Sequence, residues 1–346
     1  MKVFVNAYLE HNLGDDLFLD ILVNRYPDHK YYIMSSSEKQ RENVKVYSNE
    51  LFNKIIRRLE LKKILANRCD VIVSIGGSMY MEQKNDTNKK FYLGKKPYYI
   101  LGSNFGPYHT QTYYENVHKF FEKAEDVCFR EKYSYDLFSD IPQVRYASDI
   151  VFTMDTSSIK KTNRKRAIIS IISCTRKLDA KYEKIYQEKI IQITKKLLQK
   201  QYEICYMSFC KEEKDEEAIE NILSQLDEET KKQIQIYYYR GNRLEALQEL
   251  ADSQIIVGTR FHATILGILL EKVTIPIIYS DKTKNILEDM NYKGKSIDIR
   301  KMEKCDINEV FSEENLNYKL EVENLKKDAQ RQFEKLDEVL KRSKDE

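Results

Sequence analysis

The chain alternates short apolar runs with stretches of helical periodicity, and this alternation constrains its fold more than any other feature. Residues 3–5, Val71–Ile75 and residues 255–257 are apolar runs of strand length. The run Val71–Ile75 is continuous and ends at two glycines, which is typical of a strand covered on both faces in a parallel sheet. Strands separated by helices form βαβ units. The sequence therefore predicts an α/β fold built on parallel sheets.

A charged segment, DTSSIKKTNRKR, interrupts the alternation over residues 155–166. It contains one apolar residue and a cluster of positive charges, which is typical of a linker between domains. A chain of 346 residues is also too long for one ordinary core. We therefore expect two Rossmann-like, doubly wound domains, at residues 1–157 and 158–312, with their strand ends facing across a cleft. This is a glycosyltransferase-B-like arrangement.

The last stretch, residues 313–346, has apolar residues at helical spacing and charged residues between them. The apolar positions are Leu325, Ala329, Phe333, Leu336 and Leu340. Such a pattern places the apolar side chains on one side of a helix and the charges on the other. It predicts one long amphipathic helix that packs back on the domains.

Composition limits the partners and the location that we expect. Lys and Arg number 58 against 55 for Asp and Glu, so the formal net charge of +3 does not favour nucleic acid. Six cysteines show no CxxC pair and no metal-ligand spacing, which predicts reduced core thiols and no metal site. Glu10 and Asp15 precede any signal-peptide apolar region, and no run approaches about 18 apolar residues. We expect a cytoplasmic protein, with the inner face of the membrane as a candidate place of action.

The strongest candidate for a functional site is the stretch of residues 251–270, ADSQIIVGTRFHATILGILL. A short apolar strand ends at Gly258, and Arg260 and His262 follow before an apolar helix. In an open α/β sheet such a corner lies outside the carboxyl end of a strand, where helix N-termini and turn amides bind anions. Arg260 and His262 alternate along the turn, so both side chains can leave the same side of the backbone. A hydrogen-bonded structural histidine at a helix start is the alternative.

The first βα turn is a second candidate. It contains Asn12, Gly14 and Asp15 just before a run of helical periodicity. Gly14 gives the backbone conformational freedom, and a carboxylate near a helix start caps the helix. Capping accounts for one aspartate but not for the three residues together.

Polar or glycine-rich turns also follow the next strands. Gly76, Gly77 and Ser78 form a turn in which a ligand can approach the backbone closely. The turn is not a GxGxxG motif, so dinucleotide binding has little support. Asn104 lies in the turn of residues 102–107, and Arg130 follows the strand of residues 127–129. For Arg130, a surface ion pair with its neighbour Glu131 is the alternative.

Taken in order, these motifs resemble the polysaccharide pyruvyl transferase family. The similarity spans roughly residues 1–290. The set consists of NLGDD at 12–16, IGGS at 75–78, LGSNFGP at 101–107, FRE at 129–131 with Ser134 after it, SDIVF from residue 148, and GTRFHA at 258–263. No single motif is specific, because GG and GP turns are common, but the ordered set is.

The resemblance implies an enzyme that moves the enolpyruvyl group of phosphoenolpyruvate onto two hydroxyls of a sugar. The sugar belongs to a cell-surface polysaccharide or its lipid-linked precursor, the product is a pyruvate ketal, and phosphate is released. In such an enzyme His262 is the catalyst, and Arg260 and Arg130 bind the donor. The implied substrate-binding residues are Asn12, Gly14, Asp15, Gly76, Gly77, Ser78 and Asn104.

The proposed chemistry needs these residue types. Guanidinium groups bind carboxylate and phosphate through two parallel hydrogen bonds, and an imidazole can be acid for a carbon and base for a hydroxyl. Phosphoenolpyruvate is a co-substrate, and the scheme requires no cofactor or metal; Asp15 is the next candidate for the acid. Two alternatives remain: a glycosyltransferase that uses a nucleotide sugar on the same fold, and a non-catalytic sugar-binding protein.

Overall fold

The computed structural model describes residues 1–36, 38, 40–47, 55–83, 86, 91, 94–162, 164–174 and 181–341, and for residues 55–60 it describes the backbone alone. The chain divides into two compact units. Unit 1 comprises residues 1–10, 15–154 and the chain from Asn324 on, and unit 2 comprises residues 11–14 and 155–323.

The sheet of unit 1 has seven described strands in the order β3-β2-β1-β4-β5-β6-β7, and all its pairings are parallel. Its strands are β1 (Lys2–Asn6), β2 (Lys30–Met34), β3 (Val44–Tyr47), β4 (Val71–Ile75), β5 (Tyr98–Ser103), β6 (Asp126–Phe129) and β7 (Val144–Tyr146). The helices between them are α1 (Leu13–Arg25), α2 (Ile55–Asn67), α3 (Gln111–Phe121) and α4 (Lys132–Leu137), with a 3-10 helix at Ile150–Thr153. The charged stretch of residues 50–66 also has a helical pattern, and its residues 50–54 lie outside the described residues.

The sheet of unit 2 has six described strands in the order β10-β9-β8-β11-β12-β13, again all parallel. Its strands are β8 (Arg166–Ser170), β9 (Glu203–Ser208), β10 (Ile234–Tyr238), β11 (Ile255–Gly258), β12 (Val273–Ile278) and β13 (Ile297–Asp298). The helices are α5 (Lys181–Gln199), α6 (Asp215–Ser224), α7 (Glu228–Lys231), α8 (Arg243–Ala251), α9 (Phe261–Leu269), α10 (Asp281–Asp289), α11 (Ile307–Val310) and α12 (Glu313–Asn317). Shorter 3-10 helices occupy Lys211–Glu213 and Ile299–Lys304. Residue 163 of the predicted linker lies outside the described residues.

Each sheet reverses its strand order beside its first strand. In unit 1, β1 lies between β2 and β4, and in unit 2, β8 lies between β9 and β11. In open α/β sheets the crevice at the carboxyl ends of the strands at such a point binds ligands. Gly258 pairs with Ser170 at the ends of β11 and β8, so the corner of residues 259–262 begins at the reversal point of unit 2. The predicted pair of doubly wound parallel sheets is confirmed.

The apolar pattern of the sequence did not predict β3 and β13, each of which lies at an edge of its sheet. Both strands are short, and neither forms the continuous apolar run that marks the central strands. An edge strand has a neighbour on one side only and needs less apolar surface. The pattern that identified the central strands therefore does not detect these two.

The C-terminal stretch differs from the single long helix predicted over residues 313–346. The structure has α12, then α13 (Glu323–Ala329), a 3-10 turn at Gln330–Phe333, and α14 (Glu334–Leu340); residues 342–346 lie outside the described residues. Ser312 caps α12, and the side chain of Asn315 donates to the carbonyl of Val310 at 2.6 Å. These local bonds start a separate short helix, and the chain runs on without helix from Tyr318 to Val322. Four of the five predicted apolar positions are nevertheless buried.

Candidate functional site

Backbone hydrogen bonds and close packing define the shape of the corner that follows β11. Arg260 is the N-cap residue of α9, and its backbone N–H donates to the hydroxyl of Ser170 at 3.1 Å. Thr264 in the first turn of α9 donates its hydroxyl to the carbonyl of Gly258 at 3.1 Å. Gly258 itself packs so closely on Thr264 that a side chain there would overlap its backbone nitrogen. All nine residues of α9 are buried, which fixes the corner on the core.

The side chain of Arg260 is buried and bound by two carboxylates. Its Nε donates to Oδ2 of Asp215 at 2.9 Å, its Nη2 donates to Oδ1 of the same residue, and its Nη1 donates to Oε2 of Glu213 at 2.6 Å. Asp215 also accepts the backbone N–H groups of Phe209 at 3.0 Å and Cys210 at 2.9 Å. Burial alone would lower the pKa of Arg260, but the carboxylates of Asp215 and Glu213 raise it well above its usual range.

These contacts change what Arg260 can do. A guanidinium has five N–H groups, and three of those of Arg260 point to carboxylates, so two remain to reach a further acceptor. The group of one arginine and two carboxylates carries a net negative charge, which opposes an anionic ligand. The sequence motifs did not point to Glu213 and Asp215. A signal was present, because a cluster of acidic residues lies a few positions after the end of β9 at Ser208.

The imidazole of His262 lies in the first turn of α9, is 8% exposed, and meets the ring of Phe261 edge to face at 5.0 Å. The imidazole also lies against Gly14, where a side chain would overlap the ring. Residues 12–14 are held there by a bridge between Asn12 and Cys210 and by the backbone N–H of Leu13, which donates to Phe209 at 3.2 Å. The structure therefore brings Asn12, Gly14 and His262 together.

In unit 1, Arg130 is 2% exposed. Its Nη1 donates to Oδ2 of Asp149 at 3.0 Å and its Nη2 donates to Oδ1 of Asn104 at 2.9 Å. The guanidinium packs on Gly77 so closely that any side chain at that position would overlap it. The alternative of a surface ion pair with Glu131 is wrong, because Glu131 is also 2% exposed and accepts the hydroxyl of Ser134 at 2.7 Å.

The turn after β4 shapes the surroundings of Arg130. Gly76 has φ +141°, a conformation that favours glycine, and a side chain there would come within 3.8 Å of Oδ1 of Asp15. The carbonyl of Gly77 accepts the backbone N–H of Asn104 at 2.8 Å. Ser78, the next residue of the turn, is exposed. Arg130, Asn104, Gly77 and Asp149 thus form one cluster, called here the Arg130 cluster.

One donor in this cluster is unused within the described part of the chain. Asn104 is 1% exposed, and its Nδ2 has no hydrogen-bond partner among the described residues. A buried amide nitrogen without an acceptor costs free energy unless a ligand or water supplies one. Asn104 and Arg130 therefore offer two N–H-bearing groups side by side, which suits an oxygen-rich anion.

All six cysteines are free, and five are buried; burial raises the pKa of the Cys210 thiol to about 12. Among the residues that the structure describes, no group of three His, Cys, Asp or Glu side chains could hold a metal ion. No helix within the described ranges is long and apolar enough to cross a membrane.

Two parallel, doubly wound sheets with polar side chains after the strand ends define a Rossmann-like α/β protein. The sequence profile of the polysaccharide pyruvyl transferase family matches residues 12–281, and the chain belongs to that family. It is also 20% identical over 342 residues to the amylovoran biosynthesis protein AmsJ of Erwinia amylovora, covering 83% of this chain and 81% of that protein. The family and this relative support a transferase that modifies a polysaccharide.

Solved structures show the same fold. The UDP-GlcNAc 2-epimerase of Neisseria meningitidis bound to UDP-GlcNAc aligns with a TM-score of 0.65 at 12% identity, covering 97% of this chain and 99% of that one. Anabaena Alr3699/HepE in complex with UDP and glucose aligns with a TM-score of 0.55 at 10% identity, covering 98% and 99%. At such identities the likeness supports the two Rossmann-like domains and not a shared activity.

Proposed function

We propose that this protein transfers the enolpyruvyl group of phosphoenolpyruvate to two hydroxyls of a sugar, forming a pyruvate ketal and releasing phosphate. The acceptor sugar belongs to a cell-surface polysaccharide or its lipid-linked precursor, and the place of action is the cytoplasm at the inner face of the membrane. The observation that carries the proposal is the imidazole of His262, held against Gly14 at the start of α9 in a chain of this family.

The Arg130 cluster is the proposed donor-binding element of unit 1. Phosphoenolpyruvate carries a carboxylate and a phosphate, and a guanidinium binds either group well. The guanidinium of Arg130 is held on Gly77 by Asp149 and Asn104, so little rotamer entropy is lost when it meets an anion. The unused Nδ2 of Asn104 adds a second donor beside it.

In unit 2, Arg260 has a more limited proposed role toward the donor. Its two remaining N–H groups are offered for an oxygen of phosphoenolpyruvate, while Asp215 and Glu213 fix the guanidinium in place. The neighbouring start of α9 contributes the positive end of a helix dipole. This combination aligns a phosphate more than it attracts one, because the two carboxylates outweigh the charge of Arg260.

His262 is the proposed proton carrier. Protonation of C3 of phosphoenolpyruvate makes C2 an oxocarbenium centre, which the first sugar hydroxyl attacks as it loses its proton. Phosphate then leaves from C2 with the electron pair of the C–O bond, and the second hydroxyl attacks C2 and loses its proton to close the ketal. An imidazole that titrates near neutral pH can deliver the first proton and accept one from a hydroxyl.

The test is a reaction with purified protein, phosphoenolpyruvate and a panel of simple and lipid-linked glycosides. The expected result is phosphate release that depends on the acceptor, with a ketal product detected by mass spectrometry. Parallel reactions with UDP-sugars test the glycosyltransferase alternative, which predicts UDP release and a glycosylated product. Binding of glycosides with no turnover of either donor would support the non-catalytic alternative and contradict the proposal.

A further inference from the structure

Gln332 in the C-terminal segment of unit 1 is fully buried although its side chain is polar. It lies on the 3-10 turn Gln330–Phe333. Its Oε1 accepts the backbone N–H of Gly102 at 2.9 Å, and its Nε2 lies within hydrogen-bond distance of three carbonyls, those of Phe129 at 3.1 Å, Ala147 at 2.8 Å and Ser148 at 3.1 Å. Because an N–H donor faces the amide oxygen and three carbonyls face the amide nitrogen, the orientation of the side-chain amide is defined.

The backbone groups that Gln332 contacts lie just before members of the Arg130 cluster in the sequence. Phe129 precedes Arg130, and Ser148 precedes Asp149. Gly102 lies two residues before Asn104 and has φ +65°. One side-chain amide therefore joins the three backbone segments that carry Arg130, Asp149 and Asn104. Those segments follow or end three different strands, β5, β6 and β7.

Further bonds hold the turn with Gln332 in position. Arg145 on β7 donates through Nη2 to the carbonyl of Gln332 at 2.8 Å and also pairs with Asp126 on β6 at 2.6 Å. Asp328 accepts both the backbone N–H of Ser148 at 2.7 Å and its hydroxyl at 2.9 Å. Bonds at Gln332 itself and at Asp328, earlier in the segment, thus hold the turn in place. A small displacement of the turn would strain several of these bonds at once.

We propose that Gln332 is a positioning residue for the Arg130 cluster, so that the C-terminal segment completes the donor-binding element of unit 1. Gln332 does not contact substrate; it sets the relative positions of Arg130, Asp149 and Asn104. It lies outside residues 12–281, the part matched by the family profile. The kinetic part of this inference rests on the proposed function, whereas its structural part does not.

The kinetic test compares Gln332→Met with Gln330→Met in the full-length chain. Both glutamines lie on one 3-10 turn, but Gln330 is exposed, and its Oε1 accepts from Nη1 of Arg25 at 2.7 Å. The expected result is a KM for phosphoenolpyruvate raised about 10-fold in Gln332→Met, with kcat within about 2-fold of the native value, because a buried hydrogen-bond network is lost. Gln330→Met should change neither. An unchanged KM in a folded Gln332→Met protein would overturn the proposal.

A double-mutant cycle separates positioning from general loss of stability. If Gln332 acts through Arg130, the KM effects of Gln332→Met and Arg130→Lys should not add. Additive effects would mean that Gln332 acts on the fold alone. If Gln332→Met does not fold, Gln332→Asn, which keeps an amide but withdraws it by one methylene group, enters the same cycle.

A measurement without substrate keeps the inference independent of the proposed function. In protein labelled with ¹⁵N-arginine, the Nε–Hε signal of Arg130 is assigned by its disappearance in Arg130→Lys. It should shift in Gln332→Met and stay unchanged in Gln330→Met. If native protein does not turn over phosphoenolpyruvate but this signal responds, the proposed function fails and the positioning role stands. A signal that is the same in all folded variants would refute the positioning role.

Discussion

The two units each bury an arginine just after a strand, but they hold it differently. Arg130 in unit 1 follows β6 and lies on Gly77, and within the described part of the chain it donates to the carboxylate of Asp149 and to the amide oxygen of Asn104. Arg260 in unit 2 follows β11 and binds two carboxylates, those of Asp215 and Glu213. The two side chains looked equivalent in sequence, since each follows a short apolar strand.

From this difference we infer that Arg130 is the better suited of the two to bind an anion and that Arg260 mainly stabilises the fold. At Arg130, the amide of Asn104 accepts a hydrogen bond without cancelling charge and keeps an unused N–H beside the guanidinium. At Arg260, two carboxylates outweigh the positive charge, and Asp215 ties the arginine to the backbone of residues 209 and 210. We therefore expect donor affinity to depend more on the unit 1 arginine, and the chemistry to depend on His262, which Arg260 positions through the start of α9.

The largest expected effect concerns the chemical step in unit 2. His262→Ala should still bind phosphoenolpyruvate, but turnover should fall about 10²–10⁴-fold, the usual range for a positioned acid or base. His262→Gln keeps a hydrogen-bond donor but supplies no titrating proton at neutral pH. Reaction in deuterated water should place a solvent hydrogen in the ketal methyl group. A near-normal rate in His262→Gln would mean that His262 orients the donor and that Asp15 is the next candidate for the acid.

The next effect tests whether Arg260 builds the fold. Arg260→Met should lower the free energy of unfolding by about 3–5 kcal/mol, because it leaves two carboxylates without their buried partner. The matched control is Arg240→Met: the side chain of Arg240 is half exposed, and its pair with Glu216 should be worth about 0–1 kcal/mol. Urea denaturation followed by circular dichroism measures both. A stable Arg260→Met protein with weak phosphoenolpyruvate binding would instead make Arg260 mainly a donor ligand.

The third prediction tests whether Arg130 binds the donor. Arg130→Ala should weaken phosphoenolpyruvate binding by about 1.5–3 kcal/mol, the value of a hydrogen bond to a charged group. Arg130→Lys should restore part of the lost affinity, since lysine keeps the charge but cannot form the bidentate hydrogen bonds of a guanidinium. Titration calorimetry measures the affinities. Unchanged affinity in Arg130→Ala would leave Arg130 as a structural partner of Asp149.

A smaller effect is expected at the glycine beneath Arg130. In Gly77→Ala the new methyl group would displace the guanidinium from Asp149 and Asn104, which should weaken donor binding and lower the free energy of unfolding by about 1–3 kcal/mol, the usual cost of overpacking. In an Arg130→Ala background the same substitution should cost little, because the overlap has gone. Equal losses in both backgrounds would show that Gly77 matters for another reason.

The smallest effect concerns acid pH and the C-terminal segment of unit 1. Burial alone would raise the pKa of Asp337, but hydrogen bonds from Arg25, Tyr26 and Lys341 outweigh it and hold the pKa below its ordinary value. The stabilisation, about 1 kcal/mol or less, is therefore complete above the ordinary aspartate pKa of about 4 and is lost as the pH falls through the lowered value. Thermal unfolding of native protein and Asp337→Asn across this range should converge at low pH. A constant difference would contradict the assignment.

The sequence alone determined the class of fold and the positions of the candidate residues. Central strands such as β4 and β11 are buried on both faces, so their apolar runs are continuous and can be read without a structure. The turns after them must carry whatever polar residues the site uses, since the strands cannot. For this reason Gly77, Arg130 and His262 could be selected from the sequence.

Only the tertiary structure decided what those residues touch. Glu213 and Asp215 reach Arg260 from the neighbourhood of β9, and Gln332 reaches the Arg130 cluster from nearly the far end of the chain. Gly14 must be a glycine because the ring of His262, from a distant part of the sequence, lies against it. The local pattern of the sequence predicts burial and backbone conformation, because both depend on residues that are neighbours in the sequence. Hydrogen bonds and close contacts between distant segments depend on how strands are ordered in a sheet, and that order appears only when the chain has folded.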